Sequence, residues 1–174
     1  MNIVFLDRDG TVIIDPPDER VDKESKIKLF PDSIKALAYL AGHNFAVIFI
    51  TNQAGIAEGR LNLDGFQRIH GKVLEMLAPS GVKVLETYVC PHSPNDGCDC
   101  HKPKPTLLLQ AARDFKIDLA GSYMIGDRQS DVLAGVNAGM KTILVKTANV
   151  PVTSAEADYT APNLLDAVKY VVNN

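Results

Sequence analysis

Short apolar runs alternate with longer stretches in which apolar residues return every three or four positions. Ile3–Leu6, Phe45–Ile50, Val82–Val89, Tyr123–Ile125 and Thr142–Val145 are near-continuous apolar or β-branched runs, the pattern of strands buried on both faces. Between them the period lengthens. Asp32 stands as an N-cap before Ile34, Leu37, Ala38, Leu40 and Ala41, and helices are predicted over Asn62–Leu77, Thr106–Phe115, Ser130–Ala138 and Asn163–Val172, with Gly139 as a C-cap. Strands alternating with helices predict an α/β fold, a Rossmann-like parallel sheet of about five strands wrapped on both faces. A polar segment, 12–30, fits a small flap or hairpin and is too short for a cap domain. Residues 1–174 are expected to form one domain, with a glycine-bearing loop at Ala54–Gly59 and a cysteine-bearing loop over 90–105.

Several strand ends deliver polar residues. Asp7 and Asp9 follow the first strand, ahead of Gly10-Thr11; Thr51-Asn52 follow the second and Gly126-Asp127 the fourth, while Lys102 precedes a helix start. In open α/β sheets the carboxyl ends of strands are where chemistry is placed. Two carboxylates one residue apart repel unless a cation or proton intervenes. Carboxylates of this kind can hold a hard cation such as Mg²⁺, while a Lys and a hydroxyl grip a phosphoryl group. Singly, each has a plainer reading: Asp9-Gly10 as a hairpin turn, Thr51-Asn52 as a turn, Asp127 as a helix cap. Their common position after strands favours a site.

Composition narrows the partners. Of 174 residues 46% are hydrophobic and 22% charged, with net charge −3 and no long basic cluster, which argues against extended nucleic-acid binding. No stretch has membrane-spanning length, and the first apolar run, ended by Asp7, is too short for a signal peptide. A cytoplasmic monomer acting on a small phosphorylated metabolite is expected. The three cysteines, Cys90, Cys98 and Cys100, are clustered and odd in number, a poor disulfide framework. With His92 they supply three thiolates and one imidazole, a closed tetrahedral shell for structural Zn²⁺; His101 is a rival ligand.

Asp7-Arg8-Asp9-Gly10-Thr11, Thr51-Asn52, Lys102-Pro103, and Gly126-Asp127 with Asp131 further on resemble the four motifs of the haloacid dehalogenase (HAD) superfamily of phosphatases, over almost the whole chain. The resemblance implies that Asp7 is the nucleophile, forming an aspartyl phosphate, and that Asp9 is the general acid and base. It implies Mg²⁺ held by the Asp7 carboxylate, the Asp9 carbonyl and Asp127, with Thr51 and Lys102 on the phosphoryl oxygens and Asp131 orienting its neighbours. The cysteine loop running into Lys102-Pro103-Lys104-Pro105 is similar to a capless branch whose members act on heptose 1,7-bisphosphate or histidinol phosphate. Thr51–Gly59 and Val145-Lys146-Thr147 favour the heptose substrate. Asp15-Pro16-Pro17, Val21-Asp22, Lys28–Phe30 and Gly126-Asp127-Arg128 favour histidinol phosphate. His101 and Glu58 depart from the branch, which has Arg at the first position and, in the heptose enzymes, at the second. The expected substrate is heptose 1,7-bisphosphate, with contacts from Asp15, Asp18, Thr51, Asn52, Gln53, Ala54, His101, Lys102 and Arg128. A phosphoacceptor receiver domain lacks a second carboxylate two residues on, and a zinc-stabilised binding module needs no acidic cluster; a nucleic acid 3′-phosphatase fits poorly with the acidic charge.

Overall fold

The computed structural model describes residues 2–147 and 156–174. Its strands are β1 (Asn2–Leu6), β2 (Phe45–Asn52), β3 (Lys83–Cys90), β4 (Tyr123–Gly126), β5 (Lys141–Val145) and β6 (Tyr159–Ala161). Its helices are α1 (Ser33–Gly42), α2 (Ala54–Ala57), α3 (Leu63–Leu77), α4 (Thr106–Phe115), α5 (Gln129–Asn137) and α6 (Leu164–Asn173). All strand pairs are parallel, in the order β3-β2-β1-β4-β5-β6. The sheet therefore has six strands among the described residues, where the apolar runs predicted about five. The sixth, three residues of Tyr-Thr-Ala, is too short for any period and is defined by pairing of Ile143 with Tyr159 and Val145 with Ala161.

The pleat sorts the core. Val4 and Leu6 face one side with Val47, Phe49, Ile125 and Ile143, under Leu37, Leu40, Val73 and Val168 of α1, α3 and α6. Phe5 faces the other with Ile48, Ile50 and Met124, under Leu107, Leu108 and Ala134 of α4 and α5. A period of two across the strands and 3.6 along the helices makes both faces apolar, which is why the strand runs show no polar alternation.

Local signals act much as their residues suggest, with two differences. Asn62 and Asn163 cap α3 and α6, accepting from the backbone N–H groups of Gly65 and Asp166. Asp32 occupies the N-cap of α1, but its carboxylate accepts from Leu165 N at 2.9 Å, so it ties α1 to the start of α6. Ala54–Ala57, expected as loop, is one helical turn. The 12–30 segment is hairpin-like: Ile14 N donates to Lys28 O and Phe30 N to Val12 O.

β1 is the pivot of this topology, because the chain leaves it for β2 on one side and later returns to place β4 on the other. That reversal opens a crevice at the carboxyl ends of the central strands.

Candidate active site

The crevice is a pocket of about 290 Å³ lined by Asp7, Asp9, Thr51, Asn52, Gln53, His101, Lys102, Arg128 and Asp131, with residues of the 15–22 segment along its rim. Adjacent strand ends bring its floor together: Asp7 N donates to Ile125 O at 2.9 Å, tying the turn after β1 to β4. Gly10 then turns the chain back with φ +81°, and a Cβ there would run into the Asp127 carboxylate, so the glycine serves both the turn and the close approach.

Lys102 is the hub. Its ammonium is almost wholly buried and lies 2.5 Å from Asp7 Oδ1, 2.6 Å from Asp131 Oδ1 and 2.8 Å from Ile50 O. Burial pulls its pKa down, but Asp131 and Asp7 outweigh burial and raise it, so the group is a fixed cation. Asn52 holds the backbone beneath it: its Oδ1 accepts from Lys102 N at 3.1 Å, and its Nδ2 lies 3.4 Å from Lys102 O. Asn52, expected to touch substrate, lines the pocket and also holds the lysine backbone.

Asp7, Asp127 and Asp131 carry carboxylate oxygens within 4.8 Å of one another, all three buried. Asp131 uses both oxygens, one on Lys102 and one accepting from Arg128 N at 2.9 Å. Asp127 accepts from Thr11 Oγ1 at 3.1 Å, while its buried Oδ2 has no hydrogen-bond partner. Burial, opposed by Lys102 and aided by Asp131 and Asp9, pushes Asp7 up to about 7; burial with Asp7 and Asp131 pushes Asp127 up to about 9. A charge cluster this costly, with a buried unpartnered acceptor on Asp127, fits a divalent cation.

Asp9 stands apart from that trio. Arg8 grips its carboxylate with Nε and Nη2 at 3.0 and 2.9 Å, and Gln53 Nε2 donates to it at 2.6 Å. Gln53 Nε2 also lies 2.8 Å from Thr51 Oγ1, so one amide links the ends of β1 and β2. Arg8 is fully buried, its guanidinium 5.0 Å from the Phe66 ring centre. The sequence contained Arg8 between two aspartates, but nothing local showed that it turns inward.

The remaining expected contacts divide. Asp15 lines the pocket and accepts from Arg128 Nη2 at 2.9 Å; Ala54 and His101 also line it. Asp18 lies outside the lining, bound to Lys26 at 2.8 Å and Arg60 at 2.9 Å, which holds it among loop charges and turns it from the site. Glu19, Arg20 and Asp22, absent from the expected set, line the rim instead. Charge in a polar loop gives no periodicity by which an inward residue could be told from an outward one.

The cysteine loop gathers Cys90, His92, Cys98 and Cys100, with ligand atoms within 4.8 Å of one another. Cys100 and Cys90 Sγ are 3.0 Å apart, and His92 Nδ1 is 3.3 Å from Cys100 Sγ. Three sulfurs and an imidazole at these distances are a donor set that could hold zinc. His101 Nδ1 sits 3.6 Å from Cys90 Sγ and 3.2 Å from His92 O, flanking the four. The cluster lies immediately before Lys102 in the chain.

Residues 99–168 match the HAD-hydrolase-like family model. The chain is also 37% identical over 178 residues to the D-glycero-beta-D-manno-heptose-1,7-bisphosphate 7-phosphatase of Pasteurella multocida, covering 97% of this chain and 95% of that one. The chain belongs to the HAD superfamily of phosphatases. Among solved structures of the superfamily, D,D-heptose 1,7-bisphosphate phosphatase from B. bronchiseptica, complexed with magnesium and phosphate, superposes with a TM-score of 0.89, 31% identity and 99% coverage of both chains. The histidine biosynthesis bifunctional protein HisB of Campylobacter jejuni is 34% identical over 140 residues, 80% of this chain but 40% of that one. No helix among the described residues is long and apolar enough to cross a membrane.

Proposed function

We propose that the protein is a Mg²⁺-dependent phosphomonoesterase that removes the 7-phosphate of D-glycero-D-manno-heptose 1,7-bisphosphate, a precursor of lipopolysaccharide. The observation that carries the reading is Asp7 beside Lys102 in a buried carboxylate cluster, in a chain that matches heptose bisphosphate phosphatases over nearly its full length.

An Asp7 carboxylate oxygen attacks phosphorus, forming a bond to it as the ester P–O bond breaks, and Asp9 gives its proton to the departing alkoxide. Water then loses a proton to Asp9 and attacks the aspartyl phosphate, releasing phosphate and restoring the Asp7 carboxylate. To deliver its proton, Asp9 must leave part of the Arg8 and Gln53 grip, so these two govern when it acts. Lys102 and the Thr51 hydroxyl bind phosphoryl oxygens, and Asp131 and Asn52 keep Lys102 in place. Asp7, the Asp9 carbonyl and Asp127 would hold Mg²⁺, whose charge, when bound, offsets that of the phosphoryl group. Cys90, His92, Cys98 and Cys100 would hold a structural Zn²⁺ that fixes the approach to Lys102.

The test is phosphate release with Mg²⁺ from heptose 1,7-bisphosphate and histidinol phosphate under the same conditions. A preference of about 100-fold in kcat/KM for the bisphosphate, near 3 kcal/mol, is expected. The reverse preference overturns the reading in favour of histidinol phosphate. That alternative draws on the HisB relative and on the carboxylates of Asp15, Glu19 and Asp22, which would suit a protonated amine.

The cation site has a pH signature. In metal-free protein Asp7 and Asp127 are raised from 3.8 to about 7 and about 9, so the folded state holds extra protons over that range. Their contribution to stability is therefore complete below the unfolded value and is lost as pH rises through 7 and 9. Mg²⁺ relieves this, and the rise in Tm on its addition is expected to be larger at about pH 8 than at about pH 5, where it must displace protons. Equal shifts would place the cation elsewhere.

The zinc proposal is checked by elemental analysis. One zinc per chain is expected, and Cys98→Ser with Cys100→Ser should remove it and lower Tm by about 5 °C. A zinc-free parent of unchanged stability would refute it.

A further inference from the structure

The pocket rim carries a guanidinium that the proposed chemistry does not use. Arg20 comes from the segment between β1 and α1, and donates from Nε to Glu58 Oε2 at 2.9 Å and from Nη2 to Glu58 Oε1 at 2.5 Å. Its Nη1 donates to Glu19 O at 2.9 Å. A guanidinium has five N–H groups, so these three contacts leave two to donate elsewhere. The stem crosses α2 where Gly55 leaves room: a Cβ there would lie 3.4 Å from Arg20 Cδ and 3.2 Å from Leu61 Cδ2. Both Arg20 and Gly55 line the pocket, and the Arg20 side chain is 28% exposed.

Arg20 differs from the other cations there. Lys102 is committed to the carboxylate cluster. Arg128 belongs to the same end, with Nε 3.9 Å from Asp127 and its fork taken by Asp15 and Glu19. Arg20 reaches only rim residues, on the α2 side. On that side of the rim Asp15 and Glu19 are paired with Arg128 and Asp22 with Lys26, so Arg20 is the cation lining the pocket there with N–H groups left for an anionic group remote from the reacting ester. Glu58 occupies the Nε and Nη2 edge and positions the group, so a phosphate would be met by the remaining N–H groups of Nη1 and Nη2.

We propose that Arg20, held against Glu58, is a specificity-determining residue that binds the second phosphate of a sugar bisphosphate while Asp7 attacks the first. This rests on the bisphosphate reading above. Glu58, which removes positive charge from its own position, here aims an arginine supplied by the neighbouring segment. The Lys26–Asp18 and Lys26–Asp22 pairs brace that segment internally, and the Arg60–Asp18 pair ties it to the chain just after α2.

The experiment compares kcat/KM for heptose 1,7-bisphosphate with that for heptose 7-phosphate, the same ester without the second phosphate, in the parent, Arg20→Ala and Arg20→Lys. The parent is expected to favour the bisphosphate, and Arg20→Ala to reduce that preference about 30-fold, chiefly through KM. Arg20→Lys, which keeps the charge without the fork, should recover part of it. A loss equal on both esters, or no loss, overturns the proposal and leaves Arg20 as a tie between two surface segments. A parent that treats the two esters alike overturns the bisphosphate reading itself, an outcome visible before any variant is made.

Discussion

Replacing Asp7 by Asn is expected to lower phosphate release by about 10⁵-fold without unfolding the protein. Asn keeps the shape of Asp but cannot supply the carboxylate oxygen that attacks phosphorus, so no phosphoenzyme forms. The fold should tolerate the change, and above neutral pH should gain from it when metal-free. Burial and the neighbouring Asp131 and Asp9 raise Asp7 to about 7 despite Lys102, so its charge is a net cost in the folded state. Lys102 retains Asp131 at 2.6 Å and Ile50 O at 2.8 Å when Asp7 is neutralised. Quenched-flow trapping of phosphorylated protein and a melting curve at about pH 8 check both halves. Phosphoenzyme in the Asn variant would move the nucleophile elsewhere.

Lys102→Met is expected to damage stability and catalysis together. The ammonium sits between two buried carboxylates and a carbonyl; a thioether of similar length removes the cation from all three and leaves Asp131 only its bond from Arg128 N. Breaking a buried pair from one side costs about 3–5 kcal/mol, so Tm should fall on the order of 10 °C. Loss of the cation facing the transferring phosphoryl group should reduce kcat/KM by about 10³-fold at a temperature where the variant is folded. Mg²⁺ should recover part of the stability, because it neutralises the same carboxylates, but little of the rate. Thermal scans with and without Mg²⁺, beside steady-state kinetics, separate the two. Unchanged kcat/KM in a folded variant would remove Lys102 from the phosphoryl site.

The two results differ because the residues stand in opposite electrostatic positions. Asp7 is a charge the fold would shed without a counter-ion, and the proposed mechanism is what requires it. Lys102 is a charge the fold cannot lose, because Asp7 and Asp131 are already buried around it.

Much of this was written locally in the chain. Apolar runs of three to eight residues marked five of the six described strands, since a strand buried on both faces needs no partner to declare itself in sequence. The helices predicted from Asn62 and Asn163 are the ones whose first residue proves to be a cap, satisfied within three residues. The Asp7 and Asp9 pair, Lys102 and Asp127 could be picked out because each follows a strand or precedes a helix, and the ends of parallel strands lie on one side of a sheet. The four residues Cys90, His92, Cys98 and Cys100 lie within eleven positions, so their meeting required only a loop.

Other features had no local signature. Asn52 read as a substrate contact, and nothing local showed that it also holds the backbone of Lys102, fifty residues on. Asp32 read as a cap and holds that position, but its carboxylate accepts from Leu165 rather than from its own helix. Asp18 and Arg20 stand two apart in the same polar segment, and only the tertiary contacts with Lys26, Arg60 and Glu58 turn the first from the pocket and the second toward it. Arg8 could be exposed or buried by its sequence; Asp9 and Phe66 decide that it is buried. Strand and helix follow from short-range period and chain stiffness, so the sequence by itself determined the α/β alternation and the candidate residues at the strand ends. Which charge meets which depends on distances closed by the whole sheet, and only the tertiary structure decided the carboxylate cluster around Lys102, the grip on Asp9 and the guanidinium at the rim.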